Sequence, residues 1–230
     1  MVENKVKIDI KQLVKDFGQK ISSLAHRMII NKETAKDAAQ EVWYEIIKSL
    51  PSYKAKSSIS TWIYTVARRT ILKYAKKERI VSDLEFHHHF NKPEINYKGD
   101  EKDRFVWVKE KCDYCLTAFC HCLNNNSRLI FLFKELVNLS NWEISKIMET
   151  SELNIRKILS RSKKKVENFM NENCFLYNKN SSCKCRIKKE IIKIDLKYEY
   201  EKYKKIINIA DFYLKFEKSL PRKNYWENLL

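Results

Sequence analysis

The residues best suited to chemistry lie in the stretch 151–165, SELNIRKILSRSKKK. Asn154, Lys157, Arg161 and Lys164, with Asn168 beyond them, fall on one side of a helical repeat. Ile155, Ile158, Leu159 and Val166 fall on the other. Amide and cationic donors on one face, with an apolar back, suit a helix that enters the major groove and bonds base edges and phosphates. The alternative is a surface helix with a solvated basic face. No acid lies between Arg156 and Lys165, which favours DNA.

Thiols offer a second chemistry. Cys174, Cys183 and Cys185 fall within twelve residues, and Cys112, Cys115, Cys120 and Cys122 lie upstream. Cys174, Cys183 and Cys185, completed by Cys115 or Cys122, are candidate ligands for a structural or sensory zinc ion. Packing as small apolar residues is the competing reading. A Cys-x-x-Cys redox motif needs a strand–helix setting that this sequence lacks. His87, His88 and His89 read as a polar tract rather than a metal site.

The elements that position these groups are helices. The chain has 230 residues with only two glycines and three prolines, so turn-rich β folds and glycine-rich phosphate loops are disfavoured and an all-α fold is expected. A charge of +17, from 46 basic and 29 acidic residues, favours a polyanionic partner. No apolar run is long enough to span a bilayer and the N-terminus lacks a signal-peptide core, so a cytoplasmic protein without membrane insertion is expected.

Ser140 and Glu143 have capping-box spacing, and Ser151 is a second N-cap, so residues 139–165 form two short helices joined by a tight turn. Upstream, apolar periodicity predicts a helix over 8–31, with Asn31 as its stop, and another from about Glu33 with Ala35, Ala38, Ala39, Val42, Trp43, Ile46 and Ile47 buried. The opposite face carries Asp37, Glu41, Tyr44 and Glu45, acidic in a basic chain, and suits a basic protein partner. Residues 50–58 form a loop. A helix then carries Trp62 and Tyr64 beside Arg68, Arg69 and Lys73. Aromatic and basic residues so interleaved can stack bases and track a single strand. Burial of Trp62 and Tyr64 in a core is the competing reading. Residues 112–136 supply a further core from Leu116 to Phe133. Residues 190–230 resume helical periodicity.

Two stretches resemble RNA polymerase sigma factors. Asp37, Gln40, Glu41, Val42 and Trp43, followed by Ser58, Ile59, Thr61, Trp62, Ile63, Tyr64, Val66, Ala67 and Arg68, match the family's second region. Leu139, Ser140, Glu143, Ile144, Ile147, Ser151, Ile155, Arg156, Leu159, Arg161, Lys164 and Lys165 match its fourth region. Glu149 and Leu153 stand where glycines are common, and Asn and Asp are frequent where Arg69 and Lys73 stand. The two-region layout resembles the extracytoplasmic-function group.

The resemblance implies region 2 over 8–80, a linker over 81–108, region 4 over 109–170 and a cysteine-containing extension over 171–230. It implies that Asp37, Gln40, Glu41, Trp43 and Tyr44 dock on the β′ clamp of core RNA polymerase. It assigns the −10 element to Tyr53, Lys54, Lys56, Thr61, Trp62, Tyr64, Arg68, Arg69 and Lys73. The −35 duplex falls to Ser151, Glu152, Asn154, Arg156, Lys157, Ser160, Arg161 and Lys164. Promoter DNA is the second partner and an anti-sigma factor a candidate third. The chain is expected to be a monomer with no catalytic residues and no required cofactor. A stand-alone helix-turn-helix regulator, with or without thiol or metal sensing, is the alternative.

Overall fold

The structure, a computed structural model, describes residues 8–80, 95–174, 178, 180–181, 183 and 185–193. These residues are all-helical, as composition implies. Asp9 accepts a hydrogen bond from the Lys11 N–H at 2.9 Å and starts α1 (Ile10–Met28). The helix stops three residues short of the expected end. Asn31 is not its stop but the N-cap of α2 (Lys32–Ser49), accepting from the Thr34 N–H at 2.9 Å. Asparagine favours that role because its side chain satisfies an otherwise orphaned amide. A 3-10 turn, Leu50–Ser52, follows, and Ser58 caps α3 (Ile59–Tyr74) through the Thr61 N–H. α2 packs against both α1 and α3.

The second unit contains α4 (Glu101–Cys120), α5 (Asn125–Glu135), α6 (Asn141–Met148) and α7 (Glu152–Asn173). α4 begins within the stretch read from sequence as linker. Its first turns are charged, which hides the signal, yet Val108 is buried and Arg104 approaches the buried carboxylate of Glu190 at 3.6 Å. Glu190 belongs to α8 (Lys188–Lys193), which packs on α4. The Ile95 N–H also donates to the Arg186 carbonyl at 2.9 Å, joining the chain ahead of α4 to the segment after α7. The expected helix beyond residue 193 and the three-histidine tract lie outside the described residues.

A single hydrophobic core runs through both units. Tyr64 of α3 meets the Phe17 ring of α1 edge-on at 5.8 Å and the Phe133 ring of α5 at the same distance. Such edge-to-face pairs contribute about 1 kcal/mol each beyond the area they bury. Polar groups cross the same boundary. Buried Arg27 of α1 donates to the Thr117 hydroxyl of α4 at 3.0 Å. The Asn125 amide donates to the Ala75 carbonyl just after α3. Arg128 of α5, fully buried, donates to the carbonyls of Cys120, Leu123 and Met28.

Candidate nucleic-acid interface

The helix pair α6–α7 is built by local rules. Ser140 Oγ accepts from the Glu143 N–H at 3.1 Å, and Glu143 Oε2 accepts from the Ser140 N–H at 2.8 Å, completing the capping box. α6 ends at Glu149, which is left-handed with φ 56° and ψ 44°. Its N–H and that of Thr150 both bond the Ser145 carbonyl, which closes the turn on the helix's last turn. Glycine takes this conformation without the steric cost a side chain incurs, which explains why a glycine suits the position. Ser151 then caps α7 through the Asn154 N–H at 3.2 Å.

α7 separates its faces as the repeat predicts. Ile155, Val166, Phe169 and Met170 are buried. Asn154, Arg156, Lys157, Ser160, Arg161 and Lys164 are exposed. Ser151 and Glu152 stand at its start, where their side chains are engaged locally. Arg156 Nη2 lies 2.6 Å from Glu152 Oε1, and the Asn154 amide donates to Thr150 Oγ1 at 3.0 Å. These bonds fix two donors at the N-terminal turn, the part of a recognition helix that reaches base edges. Lys157, Arg161 and Lys164 are exposed and carry no such restraint among the described interactions.

The α2 face divides the residues assigned to polymerase docking. Asp37, Gln40 and Tyr44 are exposed and Glu41 is partly so, with Tyr44 59% exposed beneath the Lys48 ammonium at 5.5 Å. Trp43 is 3% exposed and belongs to the core, as helical spacing predicts, so its docking assignment is corrected, whereas Ile47, expected to be buried, is 42% exposed. Successive helical positions lie about 100° apart, so a residue between Val42 and Tyr44 cannot share the face of both.

The 53–73 segment is also divided. Lys54, Lys56, Arg69 and Lys73 are exposed. Tyr53 and half-buried Trp62 form a ring pair at 5.2 Å, and the Tyr53 hydroxyl donates to the Ser57 carbonyl, so the loop is folded on its own aromatic residues. Thr61 and Tyr64 are corrected as solvent-facing DNA contacts. Thr61 is buried beside its cap, Ser58. Tyr64 is enclosed, its hydroxyl lacks a hydrogen-bond partner, and burial pushes that hydroxyl above its ordinary range. Arg68 is turned away from solvent. Its Nη1 donates to the Ile147 carbonyl and lies 3.0 Å from Glu149 Oε1, while Arg69 Nη2 is 3.9 Å from the same oxygen. Sequence reasoning placed Glu149 in a turn and missed these partners, because nothing local relates residue 68 to residue 149.

The candidate cysteines differ in burial. Cys122 and Cys174 are buried and Cys115, Cys183 and Cys185 half-buried. The Cys185 N–H donates to Cys183 Sγ at 3.4 Å, and burial pushes the Cys185 thiol up to about 11. Among the described residues no group of three or more His, Cys, Asp or Glu is placed to hold a metal ion.

The Sigma-70 region 2 family matches residues 13–80. The RNA polymerase sigma factor YlaC of Bacillus subtilis is 22% identical over 164 residues, covering 67% of this chain and 94% of its own length. A probable RNA polymerase sigma factor of Haemophilus influenzae is 26% identical over 169 residues, covering 65% and 84%. The fold resembles that of CnrH, solved in complex with the cytosolic domain of CnrY. There the TM-score is 0.55 at 12% identity, over 70% of this chain and 87% of that one. Residues 13–80, within helices α1–α3 and the turn after them, therefore match a sigma-70 region 2, and the chain is similar to RNA polymerase sigma factors over about two thirds of its length.

Proposed function

We propose that the chain binds core RNA polymerase and directs it to promoters, with α7 reading the −35 duplex and residues 53–73 taking the −10 element. The observation that carries this reading is the exposed donor face of α7, set on a capped helix pair behind a sigma-70 region 2. The exposed face of α2, with Asp37, Gln40, Glu41 and Tyr44, supports docking on a basic surface of the polymerase clamp. Catalysis of RNA synthesis stays with the core enzyme. An anti-sigma factor is a proposed further partner.

Transcription in vitro with purified core polymerase and a promoter library tests this directly. The wild-type chain should enrich templates with two shared elements. Reversing Asp37 and Glu41 together to Lys should abolish co-purification with core polymerase while leaving duplex binding by α7 intact. Full transcription by that double variant would refute the docking assignment.

A further inference from the structure

Leu153 stands at the second position of α7 and is 61% exposed, the most exposed large apolar side chain among the described residues. A lone surface leucine ordinarily has no significance. Its place on this helix gives it one. Helical positions advance by about 100°, so Leu153 lies about 160° around the axis from fully buried Ile155 and within about 40° of Lys157, Ser160 and Lys164, all exposed. It therefore sits on the midline of the polar face, far from any cover the core could lend. Its neighbours on the same turn are polar and engaged: Arg156 Nη2 lies 2.6 Å from Glu152 Oε1, and the Asn154 amide donates to Thr150 Oγ1 at 3.0 Å. Where the sigma-factor pattern commonly has glycine, this chain carries an isobutyl group at the leading end of the donor face. Helix propensity does not account for it, because alanine, lysine or glutamate would serve the helix as well without exposing apolar surface.

The N-terminal turn of a recognition helix is the part that reaches base edges. In the major groove those edges present hydrogen-bond donors and acceptors, with one exception, the C5-methyl group of thymine. A leucine can neither donate nor accept. Against the edge of guanine, adenine or cytosine it strips water from polar atoms and returns no hydrogen bond. Against thymine it buries two apolar groups together. The cations along the same face, Lys157, Arg161 and Lys164, suit phosphates rather than an apolar protein surface, so charge selects the duplex as the occupant.

We propose that Leu153 reads a thymine of the −35 duplex through its C5-methyl group and so specifies one base pair of the promoter by apolar contact. The inference rests on the assignment of α7 to the −35 duplex made above, and adds to it the residue and the base that it selects.

Holoenzyme reconstituted from the full chain and core polymerase, offered a promoter library randomised across the −35 region, gives the preferred element. Each thymine of that element, on either strand, is then replaced by uracil, which removes the methyl group and keeps every hydrogen-bonding atom. At one thymine the replacement should weaken binding of the wild-type holoenzyme about four-fold in a competition assay. That is about 0.8 kcal/mol at about 1.4 kcal/mol per tenfold, the worth of one buried apolar carbon. In L153A, whose helix propensity is undiminished, the same replacement should have no effect, and the thymine preference should vanish from the library at that pair alone. L153M, still apolar and long enough to reach, should keep most of the methyl dependence. A merely structural role for Leu153 would weaken all templates together and leave the methyl dependence intact. Equal uracil penalties in wild type and L153A, or a preferred element without thymine, overturn the inference while the −35 assignment of α7 stands. If the library yields no −35 preference at all, that assignment fails and the inference falls with it.

Discussion

Arg128 Nη1 lies 3.0 Å from the carbonyl oxygen of Met28, exactly one hundred positions earlier in the chain. The same guanidinium serves the Cys120 and Leu123 carbonyls and contacts His121 Nε2 at 3.2 Å. It therefore ties the end of α1 to the α4–α5 corner from a fully buried position. Burial pulls its pKa down to about 10, which still leaves it charged at neutral pH.

Replacing Arg128 with Met should cost about 3 kcal/mol or more, because three buried carbonyls lose their donor at about 1–3 kcal/mol each. Arg128→Lys should recover only part, since one ammonium cannot reproduce the planar fork. Urea unfolding followed by circular dichroism measures both.

His121 makes stability depend on pH. An arginine can only donate, so His121 Nε2 must accept from Arg128, and the proton resides on Nδ1, 3.5 Å from Glu78 Oε2. Burial first, and the Arg128 charge second, hold the folded pKa down at about 3 against an ordinary 6.5. Between those values the unfolded chain binds the proton and the folded chain does not, so stability is fully present above 6.5 and falls as pH drops toward 3. Glu78 works in the opposite sense: burial raises its pKa, so it takes up a proton more readily when folded and offsets part of the loss at the acidic end. Melting temperature should fall steadily from pH 7 to pH 5. In His121→Asn it should start lower but depend more weakly on pH, and an equal slope in the variant would exclude His121 as the titrating group.

The α7 face should show itself in salt dependence. Arg161 and Lys164 are exposed beside the apolar back of the helix. If each neutralises one phosphate, alanine at either should lower the slope of log K against log salt by about 0.9, and similarly for all duplex sequences. Alanine at Asn154 should instead leave the slope nearly unchanged and weaken one sequence relative to others by about 1–3 kcal/mol. Fluorescence anisotropy over a range of potassium chloride concentrations distinguishes the two patterns.

Much of the helix pair was legible in the sequence because its determinants are local. Ser140, Glu143 and Ser151 act within three residues of themselves, and the α7 stripe follows from helical spacing alone. The readings that failed depend on distant partners. Tyr64 looked like a base-stacking residue because basic neighbours surround it in sequence, while Phe17 and Phe133, which enclose it, do not. Helical spacing already put Trp43 on the buried face; the docking role implied by the resemblance is what its burial contradicts. The start of α4 was hidden because Glu101, Lys102, Asp103 and Arg104 read as linker, and the Arg104 partner is Glu190, beyond the recognition helix. Arg128, the most connected buried side chain, carried no local sign of burial.

The link between Ile95 and Arg186 has a bearing on promoter geometry. While it holds, together with the Arg104–Glu190 pair, the covalent tether between the two helical units runs only from Ile80 to Ile95. At about 3.3–3.6 Å per residue, fifteen steps cannot exceed about 50 Å. If α3 and α7 are the two DNA readers proposed above, the segment that follows α7 limits how far apart they can reach, and promoters of differing spacer length would feel it as a ruler.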